Sequence, residues 1–352
     1  MIRPIEGADL EEVAELVRTG LAGWKRDSRF LARTLLEDPW TPDPPPSLVA
    51  LDDSGRVIGS IGAQRRRLLF DGQEFDAIAV SHLVVALDGR GGAAGALLVR
   101  TLLSGQQALT FTDSSTPGVA RIWRLFGGQA DATRCSEYML VIRAARWLGG
   151  VAGAIARHKV ISHRDVPVEA LPFHAVPARV LSRAHPRTTI PELASEAATP
   201  ADLVDADRGL DRHVRLRIAH DPEYLEAKFS QLESMSIGGE LVRRTVRQAG
   251  RPIGWFAYIA RPHVSRVLAV SADAASADAV FEALLADAKE RGSAVVSGRS
   301  APHLTEPLRR RRAVLRYTPP PLIRAPDPEL RASLASDASL LEELELLDFE
   351  AW

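Results

Sequence analysis

The run Ser81-His-Leu-Val-Val-Ala-Leu-Asp-Gly-Arg-Gly-Gly-Ala-Ala-Gly-Ala-Leu-Leu98 ends an apolar stretch at a glycine-rich loop and passes straight into an alanine- and leucine-rich helical pattern. Small residues let backbone N–H groups approach a phosphate closely, and a helix start adds unsatisfied donors and the positive end of its dipole. The chemistry expected of Gly89, Arg90, Gly91, Gly92, Ala93, Ala94 and Gly95 is therefore anion binding, with an ordinary tight strand-to-helix turn as the alternative. His82, on the strand that feeds the loop, carries an imidazole whose pKa near ~6.5 suits proton transfer at neutral pH. Its other reading is a strand histidine bonded to a neighbouring strand. Asp113, Ser114 and Ser115 cluster before Thr116-Pro117, where side-chain oxygens also cap helices. No motif sets a base beside Cys135, so a thiol nucleophile is not expected. The runs Arg65-Arg-Arg67 and Arg309-Arg-Arg-Arg312 read as solvated faces, with contact to an acidic substrate as the alternative for the first, which lies on a strand.

The elements that must position these residues alternate between strand and helix. Ile2 to Ile5 is a short strand, and Leu10, Val13 and Val17 recur at helical spacing behind Asp9 as N-cap. Ser47 to Leu51 and Val57 to Ala63 flank Asp52-Asp-Ser-Gly-Arg56 as a hairpin, and Leu68 to Phe75 forms a second. After the loop, the pattern predicts a helix from Ala94 to Leu103, a strand from Ala108 to Thr112, and a short helix from Pro117 to Phe126, stopped by Gly127-Gly128.

Length and composition agree with this plan. A chain of 352 residues suits two domains. With 46% hydrophobic and 25% charged residues the composition is globular, and a net charge of -1 gives no general attraction to nucleic acid or an anionic membrane. A single cysteine cannot close an internal disulfide, and the N-terminus lacks a basic-then-apolar leader, so a reducing, cytoplasmic location is expected. No apolar run has the length of a membrane span.

The order strand, helix, helix, two hairpin strands, strand with glycine loop, helix, strand, short helix over residues 1–145 resembles the GNAT superfamily of acyl-CoA-dependent N-acyltransferases. Its loop motif is Gln/Arg-x-x-Gly-x-Gly/Ala. Here Gly92 and Ala94 fall on the last two positions with Gly89 leading, or Arg90 leads with Ala93 and Gly95 in the small positions. The resemblance implies an α/β (α+β) fold with a mixed, mostly antiparallel twisted sheet flanked by helices. It implies acetyl-CoA or another acyl-CoA as co-substrate, no metal, and a small-molecule amine as acceptor.

In such a site the thioester carbonyl would be held by a strand N–H at Val84 or Val85. His82 stands near the place of the base that deprotonates the amine, and Asp113, Ser114 and Ser115 would face the same cleft. Trp123 occupies the place of a tyrosine that protonates the leaving thiolate, which an indole N–H cannot do. Tyr138, with Glu137 on the strand after the glycine pair, is then the candidate acid, against cross-strand packing as its other use.

The second half repeats the plan. Gly55-Arg-Val-Ile-Gly59 matches Gly250-Arg-Pro-Ile-Gly254, and Arg266 to Ser271 leads into a helix from Ala277 and a strand from Ala294. Ser271-Ala-Asp-Ala-Ala-Ser276 has no glycine loop, so a second, degenerate GNAT-like domain is expected over 207–330, after a connecting segment at 146–206 and before an acidic helix at 331–352. The expected function is transfer of an acyl group to a primary amine by direct attack. A non-catalytic acyl-CoA sensor and an aminoacyl-tRNA-dependent transferase stay open as alternatives.

Overall fold

Leu10, Val13, Ala14 and Val17 form the buried stripe of α1 (Leu10–Gly20). The computed structural model describes residues 1–21, 27–42, 44, 46–87, 92–112, 115–130, 136–143, 192–210, 215–234, 238–334 and 339–340. Asp9 stands at the expected N-cap position, but its carboxylate accepts from Arg3 (2.7 Å) and from the Glu6 N–H (2.8 Å) rather than from the helix. β1 (Ile2–Pro4), β2 (Leu48–Leu51), β3 (Val57–Phe70) and β4 (Gln73–Val85) pair antiparallel in that order, with α2 (Ser28–Leu35) packed on β3. Asp71 (φ 49°) and Gly72 (φ 81°) make the two-residue turn between β3 and β4, the backbone a tight hairpin requires. α3 (Ala94–Leu103) connects β4 to β5 (Leu109–Thr112), which lies parallel to it. α4 (Pro117–Leu125) starts as expected, with Pro117 in its first turn and the Thr116 hydroxyl accepting from the Val119 N–H, and β6 (Gln129–Ala130) follows.

The chain then moves between two sheets. β7 (Ser136–Val141), β8 (Leu193–Ala197) and α5 (Pro200–Gly209) belong to a second unit, and β9 (Leu216–Ile218) and α6 (Pro222–Ser234) return to the first. The second unit continues with β10 (Glu240–Gln248), β11 (Arg251–Ala260), β12 (Val264–Ala272), α7 (Ala277–Glu290), β13 (Val295–Arg299), α8 (Thr305–Arg310) and β14 (Val314–Tyr317). β15 (Leu322–Arg324), α9 (Pro328–Leu334) and β16 (Ser339–Leu340) return to the first. The first sheet runs β1-β2-β3-β4-β5-β15-β6, with β9 beside β3 and β16 beside β9; the second runs β14-β7-β13-β12-β11-β10-β8.

This changes the expected assignment of several elements. β7, with Glu137 and Tyr138, was expected in the N-terminal domain and lies in the second sheet, whereas β9, α6 and β15 were expected in the C-terminal domain and lie in the first unit. The physical reason is the edge left by each parallel pair. β5 and β13 would each expose unpaired backbone groups, and a strand from the other half of the sequence satisfies them: β15 between β5 and β6, β7 between β13 and β14. β8 and most of α5, expected inside the connecting segment, are regular elements of the second unit. Residues 144–191 and the acidic stretch 341–352 lie outside the described residues, and Leu340 is in β16 rather than a helix.

The internal repeat seen in the sequence falls on equivalent hairpins. Gly55 (φ 84°) turns between β2 and β3, and Gly250 (φ 77°) between β10 and β11. Gly59 and Gly254 then each lie against a side chain of the following helix. A Cβ at Gly59 would meet Leu98 Cδ1 of α3 at 3.2 Å, and one at Gly254 would meet Val280 Cγ2 of α7 at 2.8 Å. Among the described residues no helix is long and apolar enough to cross a membrane.

Candidate functional site

The first sheet opens at a defined rung. The parallel pairing of β4 with β5 ends at Val80↔Thr112, and just beyond it the register of β4 against β3 slips, from Gly62↔Ser81 to Ser60↔Val84. Two residues of β4, His82 and Leu83, oppose one of β3, which is a β-bulge. His82 takes φ 49°, a left-handed conformation that costs an ordinary side chain roughly 1–2 kcal/mol. Its ring is buried, at 6% exposure, and Nδ1 lies 2.7 Å from Ser81 Oγ. Gly62 faces both groups; a Cβ there would lie 2.8 Å from Ser81 Oγ and 3.2 Å from His82 Nδ1.

Beyond the bulge the ladder alternates regularly. Ala86 N–H donates to Ile58 O at 2.9 Å, so the Ile58–Ala86 rung is hydrogen-bonded and the Gly59↔Val85 rung is not. Val85 N–H therefore points away from β3, to the side where β5 has left the sheet, while Val84 directs its N–H at β3. Of the two donors expected from the sequence, Val85 is the one turned to the opening.

The start of α3 borders the same strand. Its N-cap residue Ala93 makes no side-chain cap, its first turn holds no acid, and Gly92 and Ala93 are exposed while Ala94 and Gly95 are buried. Gly95 brings the helix against Val85, whose Cγ1 would lie 3.4 Å from an added Cβ. A helix start whose own first turn holds no acid suits an anion. These features fit the pyrophosphate and thioester of an acyl-CoA, with the helix amides from Gly92 onward and Val85 N–H as the groups that would hold it. Gly89, Arg90 and Gly91 of the loop lie outside the described residues, as do Asp113, Ser114 and Cys135.

Three other candidates have structural surroundings. Ser115 Oγ donates to Pro320 O at 3.3 Å, tying the end of β5 to the segment before β15. Trp123 is 1% exposed in the core of the first unit, with Leu98, Leu102 and Val80, and is not a cleft residue. Tyr138 is 1% exposed in the core of the second unit, edge-on to Phe281 at 5.6 Å and against Gly298. Packing, the second of its two expected uses, is the one its surroundings support. Glu137 binds Arg266 at 2.9 Å and Arg316 at 2.5 Å in the second sheet.

Sequence reasoning missed a buried polar cluster under α2. Arg66, read as part of a solvated run, is fully buried with Gln64, Lys228 and Asp38. Lys228 Nζ lies 3.0 Å from Asp38 Oδ2, Arg66 Nη1 lies 3.5 Å from it, and both cations donate to Gln64 Oε1. Burial pushes the Asp38 carboxyl up, but Lys228 and Arg66 more than offset this and hold it below the ordinary carboxylate range. Gln64 also donates to Thr34 O, Gln231 donates to Thr34 Oγ1 at 2.8 Å, and Trp40 stacks on Tyr224 at 3.6 Å. This network fixes α2, whose Leu35 covers Gly62 beside Ser81 and His82. The available signal was strand periodicity: alternate residues face opposite sides, so Arg66 turns inward while Arg65 pairs with Asp76 at 2.6 Å.

No family model matches the sequence, and no curated protein sequence matches it closely. Solved structures do resemble it. The GCN5-related N-acetyltransferase from Anabaena variabilis aligns with a TM-score of 0.59 at 12% identity, over 92% of this chain and 72% of that one. The Saccharomyces cerevisiae N-myristoyltransferase with bound myristoyl-CoA aligns at 0.55 and 14%, over 92% and 82%. Eis1 from Mycobacterium abscessus aligns at 0.55 and 16%, over 96% and 76%. At these identities the likeness is one of fold, and the chain has the mixed α/β fold of the GCN5-related N-acetyltransferases, with two such sheets in tandem.

Proposed function

We propose that the first unit is an acyl-CoA-dependent N-acyltransferase that transfers an acyl group, acetyl in the simplest case, to a primary amine of a small molecule. The observation that carries the reading is the opening of the sheet beyond Val80↔Thr112, where the bulge aims Val85 N–H away from β3 beside the uncapped start of α3. Acyl-CoA supplies an acyl thioester. Val85 N–H would bind its carbonyl oxygen and stabilise negative charge developing there, and the amides from Gly92 onward would bind phosphate. His82 would accept the proton that the attacking amine loses, and Arg90 of the loop would add positive charge beside the pyrophosphate. With Trp123 buried and Tyr138 packed in the second unit, no proton donor to the leaving sulfur is assigned. A thiol of pKa near ~8.5 leaves tolerably without one.

The test is mass spectrometry of the purified protein for bound CoA species, followed by thiol release from the ester found, or from acetyl-CoA, across a panel of amines. Amine-dependent thiol release supports the reading. Thermal stabilisation by CoA esters with no release for any amine would assign a sensor instead, and no stabilisation by any CoA ester would overturn the donor site.

A further inference from the structure

We propose that Ser60 is an acceptor-binding residue of the first unit: its hydroxyl accepts a hydrogen bond from the N–H of the amine that attacks the thioester. The inference rests on the reading of this unit as an acyltransferase, and it does not depend on which group takes the amine's proton. Gly59 of β3 lies against Leu98 of α3, and Ile61 packs in the same core. Ser60, between them, therefore faces the other side of the sheet with Gly62 and Gln64, whose neighbours are Leu35 and Thr34 of α2. Its rung partner is Val84, just beyond the bulge, and it shares this face with the Ser81 hydroxyl and the His82 ring over Gly62. Ser60 is 3% exposed, and among the described residues its Oγ has no hydrogen-bond partner. A buried hydroxyl left unmet is destabilising, and an alanine there would carry no such cost. A ligand that reaches it is itself removed from water, where a hydrogen bond to such a group counts most.

The second unit treats the same place differently. Trp255 follows Gly254 as Ser60 follows Gly59, and it pairs with Ser271 as Ser60 pairs with Val84. Its side chain is fully buried, and Nε1 donates to Asp207 Oδ1 of α5 at 2.6 Å. One position of the shared backbone plan thus holds a satisfied indole in one unit and a small side chain with an unmet hydroxyl in the other. The direction of the proposed bond follows from the chemistry: an amine that donates its N–H to Ser60 keeps its lone pair free for the acyl carbon. Ser60 neither takes the amine's proton nor bonds to the acyl group.

The experiment follows thiol release by the full chain from acetyl-CoA with ethanolamine, tyramine, glucosamine and spermidine, with acetyl-CoA affinity and thermal unfolding measured beside it. For the best-acylated amine, Ser60→Ala is expected to raise KM about fivefold or more, with acetyl-CoA affinity unchanged and the thermal midpoint equal to wild type or higher. Ser60→Cys, similar in size but a weak hydrogen-bonding group, is expected to match Ser60→Ala, and Ser60→Thr, which keeps the hydroxyl, to stay near wild type. Thiol release with an amine KM that Ser60→Ala and Ser60→Cys leave unaltered overturns the role of Ser60 alone. A lowered thermal midpoint in Ser60→Ala also counts against it, because the hydroxyl would then have a partner within the fold. Wild type that releases thiol with none of these amines removes the acyltransferase reading and, with it, an acceptor role for Ser60.

Discussion

In the first sheet, β4 leaves its parallel partner after Val80, bulges at His82, and leads to a helix whose first turn carries no acid. In the second sheet, β12 leaves its partner after the Arg266↔Ser297 rung, and its register against β11 slips between Ala257↔Ala269 and Tyr258↔Val267. Counting back from the glycine partners, Val85 of Gly59 and Ala272 of Gly254, the position of His82 is taken by Ala269. His303 Nε2 lies 2.8 Å from Val270 O, so a side chain of the second unit itself meets the strand beyond the opening. The helix that follows carries Asp278 in its first turn and Glu282 one turn on, and Arg311, 5% exposed, binds both. One backbone plan thus carries two different fillings. The first presents a histidine and a helix whose first turn holds no acid; the second supplies its own imidazole and an internal ion-pair cluster where an external anion would have to compete with carboxylates. The opening is a property of the fold, and its chemistry is a property of the few residues that line it.

The largest expected effect concerns His82. Replacing it with Asn, which tolerates the left-handed backbone, is expected to lower kcat by about 10²- to 10⁴-fold at neutral pH in an amine-acylation assay. Ala269→Asn, at the matching buried place in the second sheet, is expected to lower thermal stability while leaving the kcat of the folded protein within about twofold. Equal losses at the two positions would remove the functional difference between the openings.

Next is the support beneath α2. Asp38→Asn leaves Lys228 and Arg66 buried without their carboxylate and is expected to cost about 3–5 kcal/mol in urea unfolding. The folded carboxyl is held low. Its stabilisation is therefore complete above the unfolded value of about 3.9 and is lost as pH falls through the lower folded value. Asp38→Asn should flatten that acid limb, and an unchanged limb would show that other carboxylates set it.

A smaller effect separates the two repeat glycines. Gly254 has φ 154°, and a Cβ there would meet the Ser271 carbonyl oxygen at 2.4 Å, whereas at Gly59 the closest atom is the Leu98 side chain at 3.2 Å. Gly254→Ala is expected to cost about 1–3 kcal/mol and Gly59→Ala about 1 kcal/mol or less, both read from chemical denaturation. The reverse order would contradict the closer backbone approach at Gly254.

Much of the first unit was legible because its signals are local. The limits of α3, Ala94–Leu103, follow the apolar spacing, and α4 begins where Thr116-Pro117 said it would. Sequence spacing does not report which sheet a strand joins. β7 and β15 read equally well as neighbours of the elements before them, and their exchange is decided by edges that exist only once both sheets have formed. The candidate site was legible to a similar depth. His82 lies buried at the bulge, Val85 beyond it on the same strand, and Gly92 and Ala93 at the exposed start of α3, whereas Trp123 and Tyr138 were placed by resemblance and are core residues. Ser81 and Gly62 escaped notice because a bulge, which puts neighbouring side chains on one face, has no period to detect. Arg66 and Arg311 escaped because a run of arginines reads as surface even when one member turns inward.

Calorimetric titration of the full chain with acetyl-CoA tests the difference between the two openings most directly, using wild type, Gly92→Asp at the start of α3, and His303→Gln in the second unit. The expected result is one site per chain in wild type and His303→Gln, with affinity reduced about tenfold or more in Gly92→Asp by like-charge repulsion and no loss of thermal stability. Two sites per chain, or wild-type affinity in Gly92→Asp, would contradict a single donor site on the first sheet.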